Sequence, residues 1–178
     1  MKEEELKPLV NAWRAANPNI VRFWWDADKA ARTAVREKTI STTHGIRFSY
    51  QSNMLFITLP SGRKLSYVKP RIGINRFGSE CVTYEGVGPT KKWERIESSP
   101  GKWVENITQA VARDILYYAL ATFRCADVVM HIHDEIVIEA DVRMSLAAVC
   151  EQMSRVPPWA RGLPLHCDGY EKKFYMKN

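Results

Sequence analysis

The sequence predicts an α+β fold: a helical and β-hairpin-rich segment, then an antiparallel sheet packed by helices. Three observations predict it. Apolar residues recur at helical spacing over 3–16 and again over 102–123. Between 46 and about 97 the chain turns to short runs of β-branched and aromatic residues broken by turn-forming pairs. The last third reads helix–strand–strand–helix–strand, the layout of helices covering one face of an antiparallel sheet.

The first helix rests on Leu6, Leu9, Val10 and Trp13, and Asn17-Pro18 interrupts it. Pro18 suits the first turn of a second helix, with Asn17 as its cap. That helix is expected to run to about Glu37. Ile20, Val21, Trp24, Trp25 and Ala31 give it a broad apolar face, read as core and not as a platform for stacked bases. "IRFSYQSNMLFITLPSGRKLSYVKPRI" follows, cut by Ser52-Asn53 and by Ser61-Gly62, which predicts antiparallel strands with tight turns. "CVTYEG" and "WERIES" read as two more strands, with "GVGPTKK" as the loop between them. Ser98-Ser99-Pro100-Gly101 is a break. It divides the chain into an expected 1–101 segment and a 102–178 segment.

The helix at 102–123 aligns Val104, Ile107, Val111, Ile115, Tyr118 and Ala119. Asp127–Ile132 and Glu135–Ala140 read as a hairpin turning at His133-Asp134. "VRMSLAAVCEQMSRV" reads as a helix ending before Pro157-Pro158, and "GLPLHCDGYEKKFY" as a final strand.

Bulk properties narrow the function classes. Of 178 residues, 46% are hydrophobic and 26% charged, values of an ordinary globular chain. No apolar run approaches a membrane span, and the start is no signal peptide. The four cysteines are scattered with no CxxC, which predicts reduced thiols in a cytoplasmic protein. Charge is uneven. Residues 29–103 hold 14 Lys/Arg against 5 Asp/Glu, a net +9, whereas 104–178 hold 8 against 10, a net −2. A basic surface beside an acidic cluster suits a polyanion held near a metal, although charge alone favours a merely solvated basic face.

The acidic cluster is in "HIHDEIVIEA", residues 131–140. Asp134 alone is explained as a turn former. Glu135 beside it is not, because adjacent carboxylates repel and a bound cation relieves that best. Oxygen ligands at a solvent-exposed tip suit Mg²⁺, held by one or two carboxylates plus substrate phosphates. A zinc reading starts from His131 and His133, two apart on a strand, but zinc needs about three protein ligands and His44 and His166 fall in no ligand pattern.

"HIHDEIVIE" resembles motif C of the family A DNA polymerases, the bacterial polymerase I type, a His-Asp-Glu at a hairpin tip of the palm. "QAVARDIL" resembles the family helix before motif C, with Gln, then Ala and Asp, at matching offsets. "TLPSGRKLSYVKP" resembles the Thr-x-x-Gly-Arg-Arg segment with one extra residue before the Gly. "NPNIVRFWWDADKAA" resembles the helix preceding it, and the closing "GLPLHCDGYEKKFY" resembles phage and prophage members. The likeness runs in order from about residue 6 to the end. It departs at Glu105, where many relatives have Asn; Asn106 is the substitute after a one-residue shift, and Lys102 then matches a basic residue that contacts DNA. Nothing in 1–178 resembles the family's motif A or motif B.

The resemblance therefore implies the C-terminal part of such a polymerase, the distal fingers and part of the palm. It implies template-directed nucleotidyl transfer with two Mg²⁺ (Mn²⁺ as a substitute). Asp134 and Glu135 are then metal ligands, with His133 near the primer terminus. Gln109 then reaches the minor groove, with Asn106 able to do the same job and Lys102 contacting DNA; from the residues alone Gln109 reads equally as a solvated or capping side chain, and Arg63 and Lys64 as phosphate contacts or as an exposed hairpin tip. Expected partners are primer-template DNA, dNTPs and the N-terminal remainder of the polymerase, with no membrane, and the segment alone is expected to be inactive. The alternative is a non-enzymatic DNA-binding or accessory module, which has no use for Asp134.

Overall fold

The computed structural model describes residues 3–124 and 127–175, with side chains from Leu6 onward. The fold is mixed α+β, and the chain divides into two compact units, Met1–Ile107 and Thr108–Asn178.

The first unit opens with α1 (Glu3–Ala16) and α2 (Pro18–Glu37). Pro18 sits in the first turn of α2, as its fixed φ favours. Asn17 makes no side-chain cap to α2; its amide instead donates to the Trp13 carbonyl, 2.9 Å away, closing the end of α1. Trp13 and Trp24 stack at 5.6 Å between the two helices. Lys38 ends α2 in the left-handed region, φ 52°, with its N–H bonded to the Ala34 carbonyl.

Six strands follow as a meander: β1 (Ile40–Thr43), β2 (Ile46–Gln51), β3 (Met54–Thr58), β4 (Lys64–Ile74), β5 (Glu80–Val87) and β6 (Trp93–Glu97). Each pairs antiparallel with its chain neighbour, in the order β1-β2-β3-β4-β5-β6. Ser52 and Asn53, both at positive φ, make the β2–β3 turn, and Gly62 at φ 87° serves the β3–β4 turn. Phe48 opposite Ile57, and Ile57 opposite Leu65, set the register of the buried row. Ala27, Ala30, Ala31, Ala34 and Val35 of α2 are buried, small enough to bring the helix axis close to the sheet. Lys69 at φ 45° marks a register shift between Val68 and Arg71. Trp103, at the start of α3 (Pro100–Thr122), is fully buried beside Tyr67 and Tyr84.

The second unit contains the rest of α3, the two-stranded sheet of β7 (Asp127–Ile132) and β8 (Glu135–Glu139), and α4 (Leu146–Met153). Two expectations change here. The helix predicted from Val142 begins only at Leu146, because the Asp141 carboxylate captures the Arg143 N–H at 2.9 Å and holds a turn. No strand forms over the described part of "GLPLHCDGYEKKFY". Pro164 lacks a donor, Gly162 turns at φ 88°, and the charged run at 171–173 offers no apolar alternation. Val128, Val129 and Met130 of β7 remain 37%, 58% and 39% exposed, so strand pairing alone does not bury that apolar sequence. No helix among the described residues is long and apolar enough to cross a membrane.

Candidate functional site

The His-Asp-Glu stretch lies at the tip of the β7–β8 hairpin. Ile132 pairs with Glu135, leaving His133 and Asp134 as the two turn residues. His133 adopts φ 51°, a left-handed conformation that His enters more readily than most residues. A register shift between Val128 and Met130 bulges the strand behind it. His133, Asp134 and Glu135 are all exposed. Among the described residues no ion pair engages Asp134 or Glu135. The Tyr175 hydroxyl lies near Glu135, and its pKa is raised by partial desolvation, then by the charges of Glu135 and Tyr170. That tyrosine was not foreseen from sequence, since nothing local ties it to a residue forty positions earlier.

Two carboxylates at a solvent-exposed tip supply hard oxygen donors of the kind Mg²⁺ takes. No third His, Cys, Asp or Glu among the described residues joins them into a metal-binding group. The other two histidines of the zinc reading lie elsewhere: His44 Nε2 is 2.9 Å from Asp26 Oδ2, and His166 Nε2 is 3.0 Å from Asp168 Oδ1.

The residues expected to contact DNA differ in how available they are. Lys102, Asn106 and Gln109 follow one another along α3 at four- and three-residue spacing. Gln109 is exposed. Lys102 is engaged by Glu105, 3.0 Å from both of its carboxylate oxygens. Asn106 is only half-exposed, and its amide donates to the Tyr67 hydroxyl at 3.0 Å. Burial pushes the Tyr67 hydroxyl up to about 12, with the Asn106 hydrogen bond opposing. The inward alternation of "KLSYV" marks Tyr67 as a core residue, but its pairing with Asn106 needs the fold. Arg63 and Lys64 are exposed at the β3–β4 turn, where the Arg63 N–H donates to Ser61 Oγ and Lys64 Nζ stands 5.6 Å from the Phe56 ring centre.

Part of the basic character of the first unit is internally neutralised. Glu85 gathers Lys69 at 2.9 Å, Arg95 at 3.2 Å and the Trp93 indole at 3.3 Å, and its carboxyl is held below the usual range, chiefly by the Lys69 hydrogen bond. Glu80 is likewise held down, first by its hydrogen bond to Arg36, and Arg32 bridges Glu80 and the buried Asp28.

No family model matches the chain, and no solved structure matches it. Among curated proteins, one named DNA polymerase, from Bacillus phage SP02, is 45% identical over 183 aligned positions that cover all of this chain. The chain spans 28% of the length of that curated relative.

Proposed function

We propose that this chain is part of a DNA polymerase of the family A type, and that the β7–β8 tip is its half of the nucleotidyl-transfer centre. The observation that carries the reading is an exposed Asp134 on a two-residue turn beside an exposed Glu135 that opens β8. The likeness of the whole chain to a protein named DNA polymerase supports it.

Asp134 and Glu135 would hold divalent ions, Mg²⁺ with Mn²⁺ as a substitute. Bound there, such ions supply Lewis acidity and neutralise charge developing on the phosphoryl oxygens. The chain's own residues then orient and position. Asp134 presents its carboxylate from a backbone fixed by the Ile132–Glu135 pair. Tyr175 stands beside Glu135 with its hydroxyl available as a donor. His133 stands at the apex, where the primer terminus is expected. Gln109 offers an amide to the acceptors of the minor groove. Arg63 and Lys64 fit phosphate contacts at a turn tip. Asn106 supports the core through Tyr67 before it can reach DNA, and Lys102 must leave Glu105 to do so.

The chain spans 28% of the length of its polymerase-named relative, so on this reading a further segment completes the centre and the 178-residue chain alone should not extend primers. The test is primer extension by the full-length protein carrying Asp134→Asn. Loss of at least ~100-fold in rate is expected, comparable to removing a group that stabilises transition-state charge. Normal extension by that variant would refute the assignment and favour a non-enzymatic DNA-binding module.

A further inference from the structure

A second cluster of chemistry lies within the second unit, apart from the acidic turn and independent of the polymerase reading. Helix α4 carries Leu146, Cys150 and Met153 along one side, at four- and three-residue spacing. The segment at 167–169 runs against that side. A Cβ on Gly169 would stand 2.9 Å from Leu146 Cδ1 and 3.2 Å from Cys150 Sγ, which measures how closely this segment approaches the helix face. Cys167 Sγ lies 3.7 Å from Met153 Sδ and 3.4 Å from the Asp168 carbonyl oxygen. Cys150 is close enough to perturb the Cys167 thiol. Three sulfur atoms, two from one helix face and one from the segment packed on it, therefore meet in one place. All three residues are half-buried, and both cysteines are free thiols.

We propose that Cys150, Cys167 and Met153 form a binding site for a soft monovalent cation of the Cu(I)/Ag(I) class. Two thiolates and a thioether are the donor set that such ions select. Zinc is disfavoured: it prefers four nitrogen, oxygen or thiolate ligands, and no three His, Cys, Asp or Glu side chains converge among the described residues. His166, the nearest imidazole in sequence, has its Nε2 at Asp168. Binding changes no oxidation state. The two thiols lose their protons to solvent, and three sulfur–metal bonds form to one cation. A thiol must shed its proton to ligate a metal, so the affinity must rise as pH rises.

The test is titration of the reduced 178-residue chain with Ag(I), read by native mass spectrometry and by competition with a soluble thiol. One tight equivalent is expected, with proton release and an affinity that increases with pH. Cys150→Ser and Cys167→Ser should each weaken it by at least the ~10–100-fold that loss of an outer-shell partner costs a metal site. Met153→Leu should weaken it less, and Cys81→Ser should leave it intact. A tight equivalent that survives both Cys150→Ser and Cys167→Ser overturns the proposal. A readout needing no variant is alkylation mapping of the unaltered chain: one equivalent of Ag(I) should protect Cys150 and Cys167. Unchanged labelling rates at both would overturn it equally.

Discussion

Tyr67 illustrates how one side chain serves two ends. Its ring packs edge-on against Tyr84 at 4.9 Å and Trp103 at 5.0 Å, while its hydroxyl accepts the Asn106 amide. The phenol is raised from 10.0 to about 12 by burial. Below pH 10 it is neutral in folded and unfolded chains alike, and its titration leaves stability unchanged. As pH rises from 10 towards 12 the unfolded chain ionises first, so stability falls through that window, by ~2–3 kcal/mol at 1.36 kcal/mol per pH unit. Tyr67→Phe should remove this alkaline loss and cost about 0.5–1.5 kcal/mol at neutral pH for the missing hydrogen bond. Denaturant unfolding of both proteins at pH 7 and pH 11 measures it. Parallel pH slopes would mean that the phenol is not the titrating group.

Among the elements, α3 is closed at its C-terminus by a neighbour. Gln152 of α4 is buried and donates to the Thr122 carbonyl at 2.8 Å, satisfying an orphan acceptor of the last turn. Gln152→Ala should destabilise by ~1–3 kcal/mol, the cost of leaving a buried acceptor unpaired. Thermal unfolding of the two chains compares them directly, and an unchanged midpoint would show that water replaces the amide. Such a contact has no local signature, which separates what could be read beforehand from what could not. Helices α1 and α2 and the hairpin turns at Ser52-Asn53, Gly62 and His133-Asp134 were legible because periodicity and turn chemistry act within a few residues. Strand β1 was missed: "ISTT" is short and polar and becomes a strand only through its partner β2. The expected last strand failed for local reasons that its apolar letters masked: Pro164 offers no donor and Gly162 turns the chain at φ 88°. At the candidate site, Asp134 and Glu135 could be picked out from a local pattern. Tyr175 beside Glu135, Tyr67 beneath Asn106, and the meeting of Cys150 with Cys167 depend on contacts between distant parts of the sequence.

For the molecule as a whole, charge distribution sets the expected behaviour towards DNA. Residues 29–103 carry a net +9, yet Arg32, Arg36, Lys69, Arg95 and Lys102 of that stretch are already in ion pairs. Binding of the chain to duplex DNA should therefore be weak and strongly screened. Neutralising two phosphates predicts a roughly tenfold fall in affinity between about 50 and 200 mM salt. Fluorescence anisotropy across that range tests it, and an affinity indifferent to salt would exclude a phosphate-driven interface. The uninterrupted β1-to-β6 meander has one more effect. Every strand finds its partner across the next short turn, so each closure sacrifices little chain entropy, and the sheet can zip up from whichever hairpin forms first without waiting for distant sequence to arrive.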